Sequence, residues 1–198
     1  MTFDEAWHEI HDVRKLNLPH DKAELRWLFE HVQASGAQAL VEIGSRYGSG
    51  LFILTQALPP GSTVVSVDLP GGPHGRRGSL EVLRGMIGEL NADGYHAHLI
   101  VGDSHAPAIV AEVEASTPNR PCAVFIDGDH SYEGVRSDWL AYHALPGLRL
   151  VMFHDTCGRL ARSPVEVPRL FGELGEAGYR TESYVDTGEY GVGVVHMG

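Results

Sequence analysis

The sequence predicts an α/β protein: a Rossmann-like, doubly wound sheet of about seven strands, mostly parallel, with helices on both faces and a C-terminal antiparallel hairpin. Three observations lead there. Apolar runs of strand length alternate with helical patterns five times, which implies parallel strands covered by helices on both sides. Each run is followed by a glycine, an acidic residue or, after the fifth, the pair His154-Asp155, at the edge where an open α/β sheet binds its ligands. After the fifth unit two further runs flank Asp186-Thr187-Gly188, the signature of a hairpin closing the sheet. At 198 residues the chain has the size of one domain, residues 1–198, able to bury its own core.

The elements follow in order. From Asp21 onward Leu25, Leu28, Phe29 and Val32 fall at i, i+3, i+4 and i+7, the apolar stripe of an amphipathic helix that ends near Gly36. A shorter helix fits before it. Residues 1–36 thus form an N-terminal helical segment that either covers the sheet's own helices or mediates a homo-oligomer. "ALVEI" (Ala39–Ile43) has strand length and leads through "GSRYGSG" into a helical "LFILTQAL" that Pro59-Pro60 stops. The strand "TVVSV" (Thr63–Val67), a helix around Leu80–Leu90, the strand "AHLIV" (Ala97–Val101) and a helix around Pro107–Val113 come next. They are followed by "AVFI" (Ala123–Ile126), a helix carrying Val135, Trp139 and Leu140, "LRLVMF" (Leu148–Phe153) and a helix near Val167–Ala177. No internal repeat or linker interrupts the series.

Charge narrows the partners. A formal net charge of -11 repels a nucleic-acid backbone or an anionic membrane surface unless a concentrated basic patch offsets it. The only dense basic spots, Arg76-Arg77 and the Arg159/Arg162 pair, are large enough for a substrate anion and too small for a nucleic-acid footprint. No apolar run approaches the length of a membrane span, and the acidic start has no signal-peptide core. The expectation is a cytoplasmic protein acting without nucleic acid or membrane. Cys122 and Cys157 lack metal or disulfide spacing; Cys122 opens an apolar run and reads as a buried small side chain.

In this topology all five parallel strands deliver polar groups to one edge: Gly44, Asp68, Asp103, Asp127 and the pair His154-Asp155. The first loop, "VEIGSRYGSG", carries the acid Glu42 and then Gly44, Ser45, Gly48 and Gly50. It lacks the G-x-G-x-x-G spacing of a nicotinamide site and resembles the S-adenosylmethionine-binding motif of class I methyltransferases. Asp68, at the end of strand two, is placed to accept both ribose hydroxyls of an adenosyl ligand. The resemblance further implies that "GDS" (Gly102 to Ser104, with Asp103) lies beside the adenine and Glu42 near the amino-acid end of the cofactor.

"FIDGDHSYEGVRSDW" followed by "LVMFHDT" is similar to the metal-dependent O-methyltransferases grouped as methyltransferase family 24, over about Leu40 to Thr156. That resemblance implies methyl transfer from S-adenosylmethionine to a hydroxyl of a small molecule, a sugar or other natural product. It also implies a divalent cation held by Asp127, His154 and Asp155, which orients the hydroxyl oxygen and lowers its pKa. Carboxylates favour Mg²⁺, Ca²⁺ or Mn²⁺; His154 stands where the family usually has an acid, and an imidazole shifts preference toward softer metals.

His130 stands where catechol-type members carry a catalytic lysine, and an imidazole of ordinary pKa can take a hydroxyl proton at neutral pH. Asp127, next to it, shares the catalytic assignment. Asp129 is either a competing ligand or a partner for His130, and Asp129 or Ser131 caps the following helix. Of the 12 histidines most are expected at the surface or satisfied, with His74 and His105 set apart because both fall in loops at the carboxyl edge. "PGGPHGRRG" (Pro70 to Gly78) and "TCGRLARSP" (Thr156 to Pro164) are the two loops able to serve as lids. A metal-independent methyltransferase, a nicotinamide-dependent oxidoreductase and a non-catalytic S-adenosylmethionine binder are the remaining readings.

Overall fold

Side chains alternate across a strand, so a strand buried on both faces feeds two cores, and β1 (Ala39–Ile43) does so. Leu40 enters one apolar cluster, Val41 and Ile43 the other. The computed structural model describes residues 1–69, 79–117, 119–157, 165–186 and 190–198. The remaining strands are β2 (Thr63–Asp68), β3 (His96–Val101), β4 (Cys122–Ile126), β5 (Leu148–His154), β6 (Arg180–Tyr184) and β7 (Val192–His196). They form one sheet in the order β3-β2-β1-β4-β5-β7-β6. β1 to β5 run parallel to one another, and β7 pairs antiparallel with both β5 and β6, as the sequence led one to expect.

Helices cover both faces. One core packs α1 (Phe3–His8), α2 (Lys22–Ser35), α3 (Ser49–Thr55) and α4 (Ser79–Ala92) on the sheet through Phe3, Leu28, Phe52 and Leu83. The other packs α5 (Pro107–Ser116), α6 (Tyr132–Tyr142) and α7 (Val167–Glu176) through Val113, Trp139 and Leu170. α1 runs on into a π-helical turn, Glu9–Val13, whose Ile10 is fully buried, so the N-terminal segment covers the protein's own helices. Asp21 caps α2 by accepting from the Ala23 and Glu24 N–H groups, and Gly36 ends it in the left-handed conformation. In α6 the buried stripe is Val135, Trp139 and Tyr142, at i, i+4 and i+7. Leu140, on the same helix as expected, lies off that stripe and is exposed. Cys122 is fully buried. No helix among the described residues is long and apolar enough to cross a membrane. The expectations placed on His74, Arg76, Arg77, Arg159, Arg162 and the Thr187-Gly188 turn, and on both lid loops over residues 70–78 and 158–164, lie outside the described residues.

β1 and β4 are neighbours in the sheet although separate in sequence, and their carboxyl ends are stitched together. The Asp127 N–H donates to the Ile43 carbonyl at 2.9 Å, while on the other side of β1 the Gly44 N–H donates to the Val67 carbonyl of β2 at 2.9 Å. Gly44 has φ +91°, and a Cβ there meets the Asp127 carbonyl oxygen at 2.3 Å. The neighbour that excludes a side chain at this position is the protein's own backbone.

Two glycine substitutions separate strain from collision. Gly36 also has positive φ, +67°, but open space around it, so Gly36→Ala should cost about 1 kcal/mol of unfolding free energy. Gly44→Ala should cost at least about 3 kcal/mol or prevent folding. Denaturant titration of the two variants checks this, and equal costs would remove the steric argument at the β1–β4 edge.

Candidate active site

The strand order reverses between β1 and β4, and an open α/β sheet binds ligands at such a switch point. A cavity of about 650 Å³ opens there, lined by Glu42, Gly44, Asp68, Asp103, Asp127 and His154 among others. Its volume suits a ligand of cofactor size. The candidate residues from all five parallel strands reach it.

One half of the cavity is built on the loop after β1. Gly44 and Gly48 are left-handed, and so is Arg46 at φ 52°, which turns the Arg46 N–H onto Asp68 Oδ2. One oxygen of the Asp68 carboxylate thus orders the loop. Ser66 Oγ donates to Ser45 Oγ at 2.7 Å. Glu42 is 2% exposed, and its Oε2 has no hydrogen-bond partner among the described residues. Burial, opposed by a hydrogen bond from Ser45 and reinforced by the Asp127 and Asp68 charges, pushes its pKa up to about 8. Burial also raises that of Asp68.

Asp103 is exposed and accepts the His105 N–H at 3.0 Å. Ser104 Oγ donates to Asp138 Oδ1 at 2.7 Å, and the Tyr142 hydroxyl donates to the Ser104 carbonyl at 2.7 Å. The Ser104 hydroxyl is therefore turned toward α6. Asp138, a fully buried carboxylate, also lies 3.2 Å from His105 Nε2; their hydrogen bond raises the His105 pKa against burial. His105 was expected at this edge. Asp138 was not, because a helical residue at that position reads as an ordinary member of the α6 pattern.

The other half is a cluster of carboxylates and imidazoles. Asp127 Oδ1 lies 3.2 Å from His130 Nε2 and 3.1 Å from His154 Nδ1, and its Oδ2 lies 3.0 Å from His20 Nε2. Asp155 contacts His130 Nδ1 at 2.5 Å and His154 Nδ1 at 3.3 Å. It does so from a left-handed backbone, φ 59°, which is uncommon outside glycine and signals a conformation held by its surroundings. Burial opposes the Asp127 charge, yet Coulombic attraction to His154 and the close approach of the His130, His154 and His20 imidazoles hold its carboxyl well below the usual range. Burial likewise opposes a charged His130, but its bonds to Asp127 and Asp155 prevail and push its pKa up to about 10.

Two sets of possible ligand atoms, His20/Asp127/His154 and His130/His154/Asp155, each lie within 4.8 Å of one another. Both ring nitrogens of His154, Asp155 Oδ1 and His20 Nδ1 are buried without a directed hydrogen bond among the described residues. Orphaned donors of this kind, mixing carboxylate oxygen with imidazole nitrogen, fit a divalent cation. Asp129 corrects one expectation. Its Oδ1 accepts the Ser131 N–H at 2.9 Å, so it shapes the entry to α6, which Ser131 caps; His130 is partnered by Asp127 and Asp155 instead. His20 is the residue sequence reasoning missed, its side chain only 6% exposed. It is brought in by the segment before α2, which crosses α3 where Ser49 Oγ donates to the Asn17 carbonyl at 2.9 Å. No spacing marks it.

Comparison with known proteins agrees with this topology. Residues 41–156 match a family described as a methyltransferase domain. The fold is similar to that of an O-methyltransferase from Bacillus cereus in complex with SAH, at 17% identity and TM-score 0.68 over 98% of this chain and 90% of that one. It is similar to the O-methyltransferase TomG from Streptomyces achromogenes, involved in tomaymycin synthesis and in complex with SAM, at 17% identity and TM-score 0.68 over 98% and 88%. A methyltransferase from Geobacter sulfurreducens aligns at 18% identity and TM-score 0.63 over 98% and 88%. At these identities the likeness is one of fold. No curated protein matches the chain.

Glu42 gives a pH signature. Its folded pKa, about 8, lies above the ordinary 4.5, so the folded chain favours the protonated acid. The stability this group contributes is full below the ordinary value and lost as pH rises toward the folded one. Glu42→Gln should therefore gain on the parent between about pH 5 and pH 8, approaching roughly 4 kcal/mol. Thermal unfolding across that range without added ligand is the check; parallel curves for the two proteins would show Glu42 to be ionised at no cost.

Proposed function

The chain belongs to the methyltransferase domain family, and we propose that it transfers a methyl group from S-adenosylmethionine to a hydroxyl of a small molecule with the help of a divalent cation. The observation that carries the proposal is the pairing, in one cavity, of the Asp68-anchored glycine loop with the Asp127–His154–Asp155 cluster. The bound SAH and SAM of the similar O-methyltransferases support the choice of cofactor. Residues 1–198 act as one domain, and the net charge of -11 favours a free small molecule, a sugar or other natural product, over a nucleic acid.

Each residue then has a task. Asp68 takes the ribose hydroxyls with the carboxylate capacity that Arg46 leaves open. Gly44, Ser45 and Gly48 shape the loop around the ligand, with Glu42 at its amino-acid end. Asp103 and Ser104 flank the adenine, on a turn that Asp138 and Tyr142 fasten to α6. Asp127, His154 and Asp155 would hold the cation, with His20 a further donor beside Asp127. A cation bound there orients the acceptor oxygen and lowers the hydroxyl pKa. His130 faces the same cluster and receives the hydroxyl proton. Between two free carboxylates it keeps a proton of its own, so it serves as a base only when Asp127 and Asp155 are engaged elsewhere.

Asp68→Ala should weaken S-adenosylmethionine by about 1.5–3 kcal/mol, the range for hydrogen bonds to a charged group. Calorimetry measures it, and an unchanged dissociation constant in the folded variant would take Asp68 out of the site. Asp127→Asn and Asp155→Asn should cut turnover of hydroxyl acceptors far more than cofactor affinity. Chelation should abolish turnover and Mg²⁺ or Mn²⁺ restore it; activity that survives complete chelation would leave an acid–base enzyme with no use for a cation.

A further inference from the structure

A second cluster of metal-ligating side chains lies away from the cavity, where α2 crosses the C-terminal hairpin. Strand alternation puts it there. On β7, Val192 and Val194 pack into the core beneath α2, so His196, two residues on, faces α2 as well. Glu182 of β6 is the register partner of Val194, which makes it the diagonal neighbour of His196 on the same face. From the helix, Glu24 Oε1 accepts the Asp186 and Gly191 N–H groups at 3.3 and 3.1 Å. His31 follows two turns later on that side of α2 and completes the group His31/Glu182/His196, whose ligand atoms lie within 4.8 Å of one another.

The geometry points to a second metal site formed by His31 Nε2, His196 Nε2 and the Glu182 carboxylate, suited to a borderline divalent ion such as Zn²⁺. His31 Nδ1 lies 2.8 Å from the Trp27 carbonyl, an acceptor, so the ring proton sits on Nδ1 and the Nε2 lone pair is free to face Glu182. That carbonyl contact is the outer support that metal-bound imidazoles usually have. The Trp27 ring, 3.9 Å away centre to centre, fixes the imidazole plane. In the neutral ring that lone pair faces a carboxylate oxygen 3.8 Å away, a repulsive contact that a cation between them, a proton or a metal ion, turns attractive. His196 Nε2 is 2.9 Å from Glu182 Oε1 yet makes no directed hydrogen bond and is buried. Around a tetrahedral Zn²⁺ with ligands at about 2.0–2.1 Å, neighbouring donors sit roughly 3.3 Å apart; His31 Nε2 lies 3.8 Å from Glu182 Oε2, and all three ligand atoms fall within 4.8 Å of one another, so small side-chain adjustments close the site. Arg180 donates to Glu182 Oε1 at 2.7 Å from an exposed side chain, an ion pair worth little in solvent that leaves Oε2 to the metal. The three residues are 19–40% exposed at the side chain, so the ion has access and a fourth, solvent ligand. The bound ion fastens α2 to the hairpin at the edge of the sheet.

Zn²⁺ alone is the probe, and the proposal stands apart from the function of the cavity. In His154→Ala protein, where the cavity cluster is broken, one equivalent of Zn²⁺ should still bind by calorimetry and raise the unfolding temperature. Adding His31→Gln, His196→Gln or Glu182→Gln should weaken that binding ~10-fold or more and remove the thermal shift. In an otherwise unaltered chain, His31→Gln should leave methyl transfer unchanged. Should a variant fail to fold, diethyl pyrocarbonate labelling of the parent, read by peptide mass, decides: Zn²⁺ should protect both His31 and His196. Binding indifferent to all three substitutions, no binding in His154→Ala, or full labelling under saturating Zn²⁺ would overturn the site.

Discussion

A carboxylate buried where β1 and β4 end is the interaction around which the rest is arranged. Asp127 is 12% exposed at its side chain, and removing an ion from water costs several kcal/mol even after the protein relaxes. Three imidazoles offset that cost, and each comes from a different part of the chain: His20 before α2, His130 before α6, His154 at the end of β5. Asp155 adds a second carboxylate, so positive charge has to reside among them as protons or as a metal ion. The N-terminal segment crosses α3, and Asp155 adopts its left-handed backbone, in the same place where these charges meet.

The backbone around Asp127 is as constrained as its side chain. Its N–H extends the β1–β4 ladder and its carbonyl fills the space that a side chain at residue 44 would need. The loop that orders Asp68 and the strand end that carries Asp127 therefore form one unit, so the two halves of the cavity keep a fixed relation. On the far side, Ser104 and His105 are tied to α6 through Asp138, the helix whose entry carries His130.

The strands were legible because parallel strands covered on both faces read as unbroken apolar runs; every residue of β1 and β4 is buried. The acids at the strand ends were legible because the topology, once inferred, sends them to one edge. His20 was not, since its partner Asp127 is 107 positions away and the segment that carries it has no period to read. Asp138 and Asp129 show a different limit: each is an acid near a helix start or stripe, and only the packing tells that one orders the turn after β3 while the other shapes the entry to α6. The crowding at Gly44 was not legible either, because backbone approach across two strands leaves no mark on the sequence of either.

The imidazole–carboxylate cluster around Asp127 is proposed to hold a divalent cation beside the cofactor cavity. Anomalous diffraction from crystals grown with Mn²⁺ and S-adenosylhomocysteine tests it most directly. A single strong peak is expected in the cavity within ligand distance of Asp127, His154 and Asp155, with the adenosyl ribose on Asp68. A fully occupied S-adenosylhomocysteine with no anomalous peak at that cluster would contradict it.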